Sequence, residues 1–210
     1  MEQKTIEWLN IRKGKFTGSE IYKLMSEPKS KTELLSETAK TYILEKIAEE
    51  FTDELKESFT TPAMQWGNDH EPLAKKWYTK LTGKLIDEIA FVQHPMFNDC
   101  GGSPDGFIRE GNHIIEIKCP FNSVNHIKHV LTSQEYFKKE LKEYYWQMQF
   151  YIYCLNVEYC DFISFDPRIN SDFGLHIKRI ERDEKDIEFM NNKISQAIGY
   201  KDLIKWELHR

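Results

Sequence analysis

The chain has 210 residues, 29 Lys and Arg against 34 Asp and Glu, a formal charge of −5 and 40% hydrophobic residues. These are the proportions of an ordinary globular protein, long enough for one sizeable core and expected as a single domain over 1–210. The negative balance counts against a broadly basic nucleic-acid binder, but leaves room for a local basic channel beside carboxylates. No apolar run reaches membrane-spanning length and residues 1–10 hold no signal-peptide core, so a cytoplasmic protein with no membrane partner is expected.

In chain order, Thr17-Gly18-Ser19-Glu20 reads as a helix start, with Ile21, Leu24 and Met25 on one face. Residues 28–31 form a polar turn. Residues 38–51 have helical spacing in Tyr42, Ile43, Ile47 and Phe51. Pro62 opens a second helix through Trp66, Leu73 and Trp77 to Leu81, with Gly83 as its C-cap. Residues 85–92 read as a strand. Strands over 103–108 and 113–119 form a hairpin around Arg109-Glu110-Gly111-Asn112. A long aromatic-rich helix is expected over 140–155, then strands over 160–166 and 175–180. A last helix runs from Asp183 to about Lys201. Helices before and after a strand cluster with a helix inserted imply an α/β mixed sheet flanked by helices. Cys100, Cys119, Cys154 and Cys160 lack CxxC spacing and read as reduced thiols. His126 and His129, three apart, read as surface or partner-contact residues and not as zinc ligands.

The chemistry concentrates in Ser103-Pro104-Asp105-Gly106 and Ile115-Glu116-Ile117-Lys118. Alternate strand side chains share a face, so Ile115 and Ile117 point into a core while Glu116 and Lys118 point together the other way. The preceding hairpin strand can bring Asp105 beside Glu116. Two adjacent carboxylates repel, and a divalent cation relieves that repulsion. Hard oxygen ligands suit Mg²⁺, with Mn²⁺ as substitute, better than zinc. Such a cation activates water and neutralises charge on a phosphate. Lys118 can hold or deprotonate the water or stabilise the oxyanion, and spacing does not choose between these roles. The competing reading is a surface hairpin with a solvated Glu–Lys pair.

This pattern resembles the PD-(D/E)XK nuclease superfamily and, more closely, the phage lambda exonuclease family of viral recombination nucleases. The resemblance runs through Trp8-x-x-x-Arg12-x-Gly14-x-x-Thr17-x-Ser19, Trp66-Gly67-x-x-x-Glu71, Ser103-Pro104-Asp105-Gly106 and Glu116-x-Lys118-Cys119-Pro120-Phe121. It continues through Gln147-x-Gln149, Asp166-Pro167-Arg168, Gly174-Leu175-His176 and 180–185. It implies a PD-(D/E)XK fold with Asp105, Glu116 and the Ile117 main-chain oxygen as metal ligands. It also implies Lys118 as catalytic lysine, Glu71 reaching the metal or its waters, and Gln147 pointing into the site. Tyr151, one turn beyond Gln147, is either part of the site or core.

By the same resemblance Arg12, Ser19 and Ser103 grip a 5′-phosphate, although Ser19 also fits a plain N-cap. Met64 falls where an apolar wedge splits the terminal base pair, against a core reading. Lys29 falls where a basic residue reaches the downstream duplex. Gly18 replaces an alanine-like position, with little consequence expected, and 122–139 matches poorly. The implied activity is Mg²⁺-dependent 5′-to-3′ digestion of linear double-stranded DNA to mononucleotides, leaving 3′ overhangs. The implied assembly is a toroidal homotrimer working with a single-strand annealing protein, phage- or prophage-encoded in a bacterial host. The alternatives are an endonuclease on the same core and a non-catalytic DNA-end-binding recombination protein.

Overall fold

The structure, a computed structural model, describes residues 3, 5–52, 61–170 and 172–210. The N-terminal segment forms a helix, α1 (Ile6–Arg12), which the sequence reading did not expect. Its cap is Thr5, whose hydroxyl accepts from the Trp8 N–H at 3.3 Å. After β1 (Phe16–Thr17) the expected α-helix is instead a 3₁₀ helix over Gly18–Lys23, preceded by Thr17 with no side-chain cap bond. α2 (Glu37–Phe51) starts at Ser36, whose oxygen accepts from Ala39 N–H. α3 (Pro62–Thr82) has Pro62 in its first turn, where no N–H is needed, and ends at Gly83 in the left-handed region, φ 72°.

The strand expected over 85–92 is a correction. That segment touches a sheet only where Asp87 bridges Phe107, and regular pairing starts with β2 (Val92–Gln93). Its imperfect alternation could not bury one face. The strand expected over 103–108 is also broken. β3 (Cys100–Gly102) belongs to one sheet and β4 (Gly106–Ile108) to another, and between them Pro104 has no N–H to give a ladder. β5 (His113–Lys118) completes the hairpin. The poorly matched stretch holds two helices, α4 (Ser123–Leu131) and α5 (Gln134–Glu140). The helix expected from residue 140 is α6 (Lys142–Leu155), separated from α5 by Leu141 in a non-helical conformation. β6 (Tyr159–Phe165) and β7 (Leu175–Glu181) follow, and α7 (Glu184–Leu208) outruns the predicted end by seven residues.

The main sheet has the order β4-β5-β6-β7. Its central pair is parallel, with Glu116 beside Phe162 and Lys118 beside Ser164, and the other pairs are antiparallel. A parallel pair needs a long crossover, and α4, α5 and α6 provide it. The second sheet, β1-β3-β2, pairs Phe16 with Cys100 and Val92 with Gly102. The larger core joins α2, α6 and α7 to one sheet face, with Ile114, Phe150, Phe162 and Met190 fully buried. A smaller core of Ala74, Tyr78, Ile115, Ile117, Ile163 and Phe165 seats α3 on the other face. Thus α3 and α6 flank β5 from opposite sides. Among the described residues no helix is long and apolar enough to cross a membrane, and all four cysteines are free.

Two further expectations fail. His126 and His129 are interior, not surface groups, and share the Ser164 hydroxyl at 2.8 and 2.9 Å. Gly18 matters: a Cβ there would meet the Tyr151 ring at 2.5 Å, and one at Gly102 would meet it at 2.6 Å.

Candidate active site

The expected alternation along β5 is present. Ile115 and Ile117 enter the smaller core, while Glu116 and Lys118 turn toward α6. Asp105 lies in the crossing between the two sheets, one residue before β4. Because β4 pairs with β5 only as far as Gly106 opposite Ile115, the Ile117 N–H lacks a strand partner there. It donates instead to Asp105 Oδ2 at 2.6 Å. One carboxylate is thereby fixed beside Glu116. The N–H and C=O of a strand residue face the same side, so the Ile117 carbonyl opens to this edge as well.

Glu116 is 1% exposed. Its Oε1 accepts from Lys118 Nζ at 2.7 Å, and Lys118 also donates to Gln147 Oε1 at 3.3 Å. Glu116 Oε2 is buried with no hydrogen-bond partner. Burial, then the charges of Glu116 and Glu71, holds the Asp105 carboxyl well above its usual range. Burial also raises Glu116, against the opposing pull of Lys118. Burial would lower Lys118, but Glu116 and Asp105 outweigh it and keep the ammonium charged. The site is therefore short of positive charge even with its lysine in place.

Glu71 projects from α3, pairs with Lys75 at 2.9 Å, and adds its charge to both acids. Gln147 and Glu71 thus approach from opposite helices, as expected. The side chains fit a divalent cation: a buried carboxylate oxygen lacks a donor, and two acids are pushed toward the neutral form. Among the described residues no group of three or more His, Cys, Asp or Glu side chains is placed to hold a metal ion. What remains for a hard cation is the Asp105–Glu116 pair, and Mg²⁺ is a cation that can bind through one or two carboxylates and keep its waters.

The phosphate-binding residues divide. Arg12 lies over the Trp8 ring, 4.2 Å from its centroid, and makes no salt bridge among the described residues. Burial lowers its pKa. Trp8 Nε1 donates to Ser103 Oγ at 2.8 Å and to Ala90 O at 3.0 Å, tying Arg12's helix to the turn before Asp105. Ser103 Oγ itself donates to Ala90 O at 2.5 Å. The hydroxyl expected to grip phosphate is thus bracing the turn. Ser19 is exposed, 3.4 Å from Thr17 Oγ1, and is not the residue before its helix.

Tyr151, left open between a DNA contact in the site and a core residue, is interior. It is 1% exposed, and its hydroxyl oxygen accepts from Ser103 N–H at 3.3 Å. Met64 is 48% exposed on the first turn of α3, which rules out its core reading, and Lys29 is also exposed.

The sequence reading gave no role to Tyr144, three residues before Gln147 and hence on its helix face, or to Trp8, one turn before Arg12. Arg168, quoted only as part of a motif, clamps the segment that follows β5. It binds both Asp166 oxygens at 2.8 Å, donates to the Phe121 and Pro120 carbonyls, and covers the Trp66 ring at 4.3 Å.

The YqaJ-like viral recombinase domain family matches residues 7–158. No curated protein matches. Among solved structures, the alkaline exonuclease LHK-Exo from Laribacter hongkongensis superposes with a TM-score of 0.85 at 31% identity, over 98% of this chain and 97% of that one. LHK-Exo in complex with dAMP gives 0.84 at 31% identity, over 97% and 96%. A phage related exonuclease from Haemophilus somnus 129PT gives 0.77 at 22% identity, over 92% and 96%, a likeness of fold.

Proposed function

Because the chain belongs to the YqaJ-like viral recombinase family, whose lambda-exonuclease-like members share its PD-(D/E)XK fold, we propose that this DNA exonuclease requires Mg²⁺ and digests one strand of linear duplex DNA from the 5′ end. Mononucleotides are the product and 3′ overhangs remain. The observation that carries the reading is Glu116: a fully buried carboxylate with one oxygen unpartnered, beside a second acid whose charge burial also disfavours.

Asp105, Glu116 and the Ile117 main-chain oxygen would hold the cation, with Glu71 reaching it through water. Bound there, Mg²⁺ (or Mn²⁺) supplies Lewis-acid charge and activates water. Lys118 spends two N–H groups on Glu116 and Gln147, which leaves a third to orient the attacking water or meet charge developing on the phosphate. Gln147 sets the lysine's direction. Arg12, a guanidinium with no carboxylate partner among the described residues, is suited to a terminal phosphate. Ser19 and Ser103 would complete that pocket, Ser103 only after its hydroxyl leaves Ala90.

A pocket that holds the 5′ end beside the acids sets the direction of cleavage. Met64, exposed on α3, would wedge the terminal base pair, and Lys29, also exposed, would meet the duplex. The relative bound to dAMP supports mononucleotide release. We extend the reading to a homotrimer around the duplex, supported by Leu73, Trp77 and Leu81 exposed in a row on α3, and to a single-strand annealing partner in a bacterial host's cytoplasm.

A linear duplex labelled at both ends of one strand tests this. The 5′ label is expected to leave first as a mononucleotide, with Mg²⁺ and not with chelator. Earlier loss of the 3′ label, or cutting of a closed circular duplex, would contradict it, the latter in favour of an endonuclease.

A further inference from the structure

We propose that Tyr144 is a positioning residue for Lys118: its ring face, locked from behind by α4 and β6, fixes where the ammonium stands. The inference rests on Lys118 acting in the reaction as described above. Lys118 Nζ lies 4.9 Å from the Tyr144 ring centroid, within reach of the ring's negative face. Its other partners are Glu116 Oε1 and Gln147 Oε1. Glu116 is also a proposed cation ligand, so its hold on the ammonium is shared, whereas the ring's is not.

The ring is itself held on two sides. Phe162 of β6 stacks on it at 5.6 Å and 27°, and the His129 ring meets it edge-on at 5.5 Å and 89°. His129 is fixed through the Ser164 hydroxyl, which also meets His126, and Ser164 lies directly beside Lys118 in the parallel ladder. The hydrogens follow from one constraint. His126 Nε2 is 2.7 Å from the Phe173 carbonyl, so that nitrogen donates and Nδ1 accepts the single Ser164 proton. His129 Nδ1–H is then left to donate to Ser164 Oγ.

This accounts for a helix whose amphipathicity is reversed. α4 turns His126 and His129 inward and leaves Val124, Ile127 and Leu131 exposed. Buried polar groups are retained at a cost, and here they set the seat of the lysine.

The test replaces Tyr144 with phenylalanine and then with phenylalanines carrying one, two and three fluorines. Fluorine drains charge from the ring face with little change in volume. Tyr144→Phe is expected to stay within about twofold of wild type in kcat, with a cumulative loss of about tenfold along the series. KM for duplex ends and the melting temperature are expected to hold steady. A flat series would overturn the inference.

The metal-free protein gives a second readout. Lys118 ε-methylene protons over the ring should resonate upfield of free lysine and return in Tyr144→Leu; unshifted protons in the wild type would also overturn it. Shifted protons in a wild-type protein that cleaves no DNA would sink the nuclease reading and leave the lysine's seat standing.

Discussion

The main sheet buries acids on both of its faces where β5 and β6 pair, and the two sites are opposites. On the α3 side, Asp161 of β6 is surrounded by donors: Tyr78 OH at 3.0 Å, His113 Nε2 at 3.3 Å and Arg179 Nε at 3.2 Å. Burial pushes Asp161 up, but the hydrogen bonds from His113, Tyr78 and Arg179 outweigh it and hold its carboxyl below the usual range. On the α6 side, the charge of Glu116 disfavours that of Asp105, the one lysine bonds to Glu116, and both carboxyls are raised. In the first cluster the carboxylate is met by donors from within the protein, while His113 Nδ1 is left buried without a partner, and the cluster belongs to the protein's stability. The second leaves Glu116 Oε2 without a hydrogen-bond partner, and a bound cation is what we propose completes it.

The largest effect expected from this contrast is in Asp105→Asn. The amide oxygen can still accept from Ile117 N–H, so folding survives, while cleavage falls by about a thousandfold or more. The melting temperature should stay level or rise, because a disfavoured charge is gone; a large fall in stability would erase the distinction between the faces. Asp161→Ala should behave in reverse. Urea denaturation is expected to lose about 2–3 kcal/mol, since His113, Tyr78 and Arg179 lose their acceptor, with cleavage per folded molecule kept.

A smaller effect comes from His129. Burial, then neighbouring positive charge, lowers it from 6.5 to about 4. Its neutral form belongs to the native state, so its contribution is complete well above pH 6.5, declines as pH falls below 6.5, and is fully lost below 4. About 2 kcal/mol should disappear between pH 7 and pH 5. Denaturation of His129→Phe across that range should show a flatter slope, and an unchanged slope would assign the loss elsewhere. Smallest is Arg12→Ala, expected to slow digestion of 5′-phosphorylated ends about tenfold more than 5′-hydroxyl ends in paired rate measurements. Equal slowing would remove Arg12 from the phosphate pocket.

The open cluster was the more legible of the two. Period-two alternation around Glu116 and Lys118, with Asp105 one hairpin strand away, is local, and the backbone geometry enforces it. Gln147 and Glu71 came from the family resemblance, and their helices do converge on β5. Tyr78, Asp161 and Arg179 lie far apart in sequence, and only the sheet register gathers them. α4 hid for another reason: its apolar residues have helical spacing but face outward, so reading apolar as inward misplaces His126 and His129. The break at Leu141 and the Pro104 crossing show the limit of reading elements by run length, because tertiary packing cuts runs that pattern alone would join. Ser103 and Tyr151 matched a motif, and only the structure shows that their hydroxyls bond within the protein, to Ala90 O and Ser103 N–H.

The central claim is that the Asp105–Glu116 face is completed by a divalent cation. Paramagnetic resonance of Mn²⁺ titrated into the wild type and into Glu116→Gln, each with and without a 5′-phosphorylated duplex, tests it most directly. The predicted result is a bound Mn²⁺ signal in the wild type that Glu116→Gln weakens by about tenfold or more. Equal binding by both proteins, or none by the wild type even with duplex present, would contradict it.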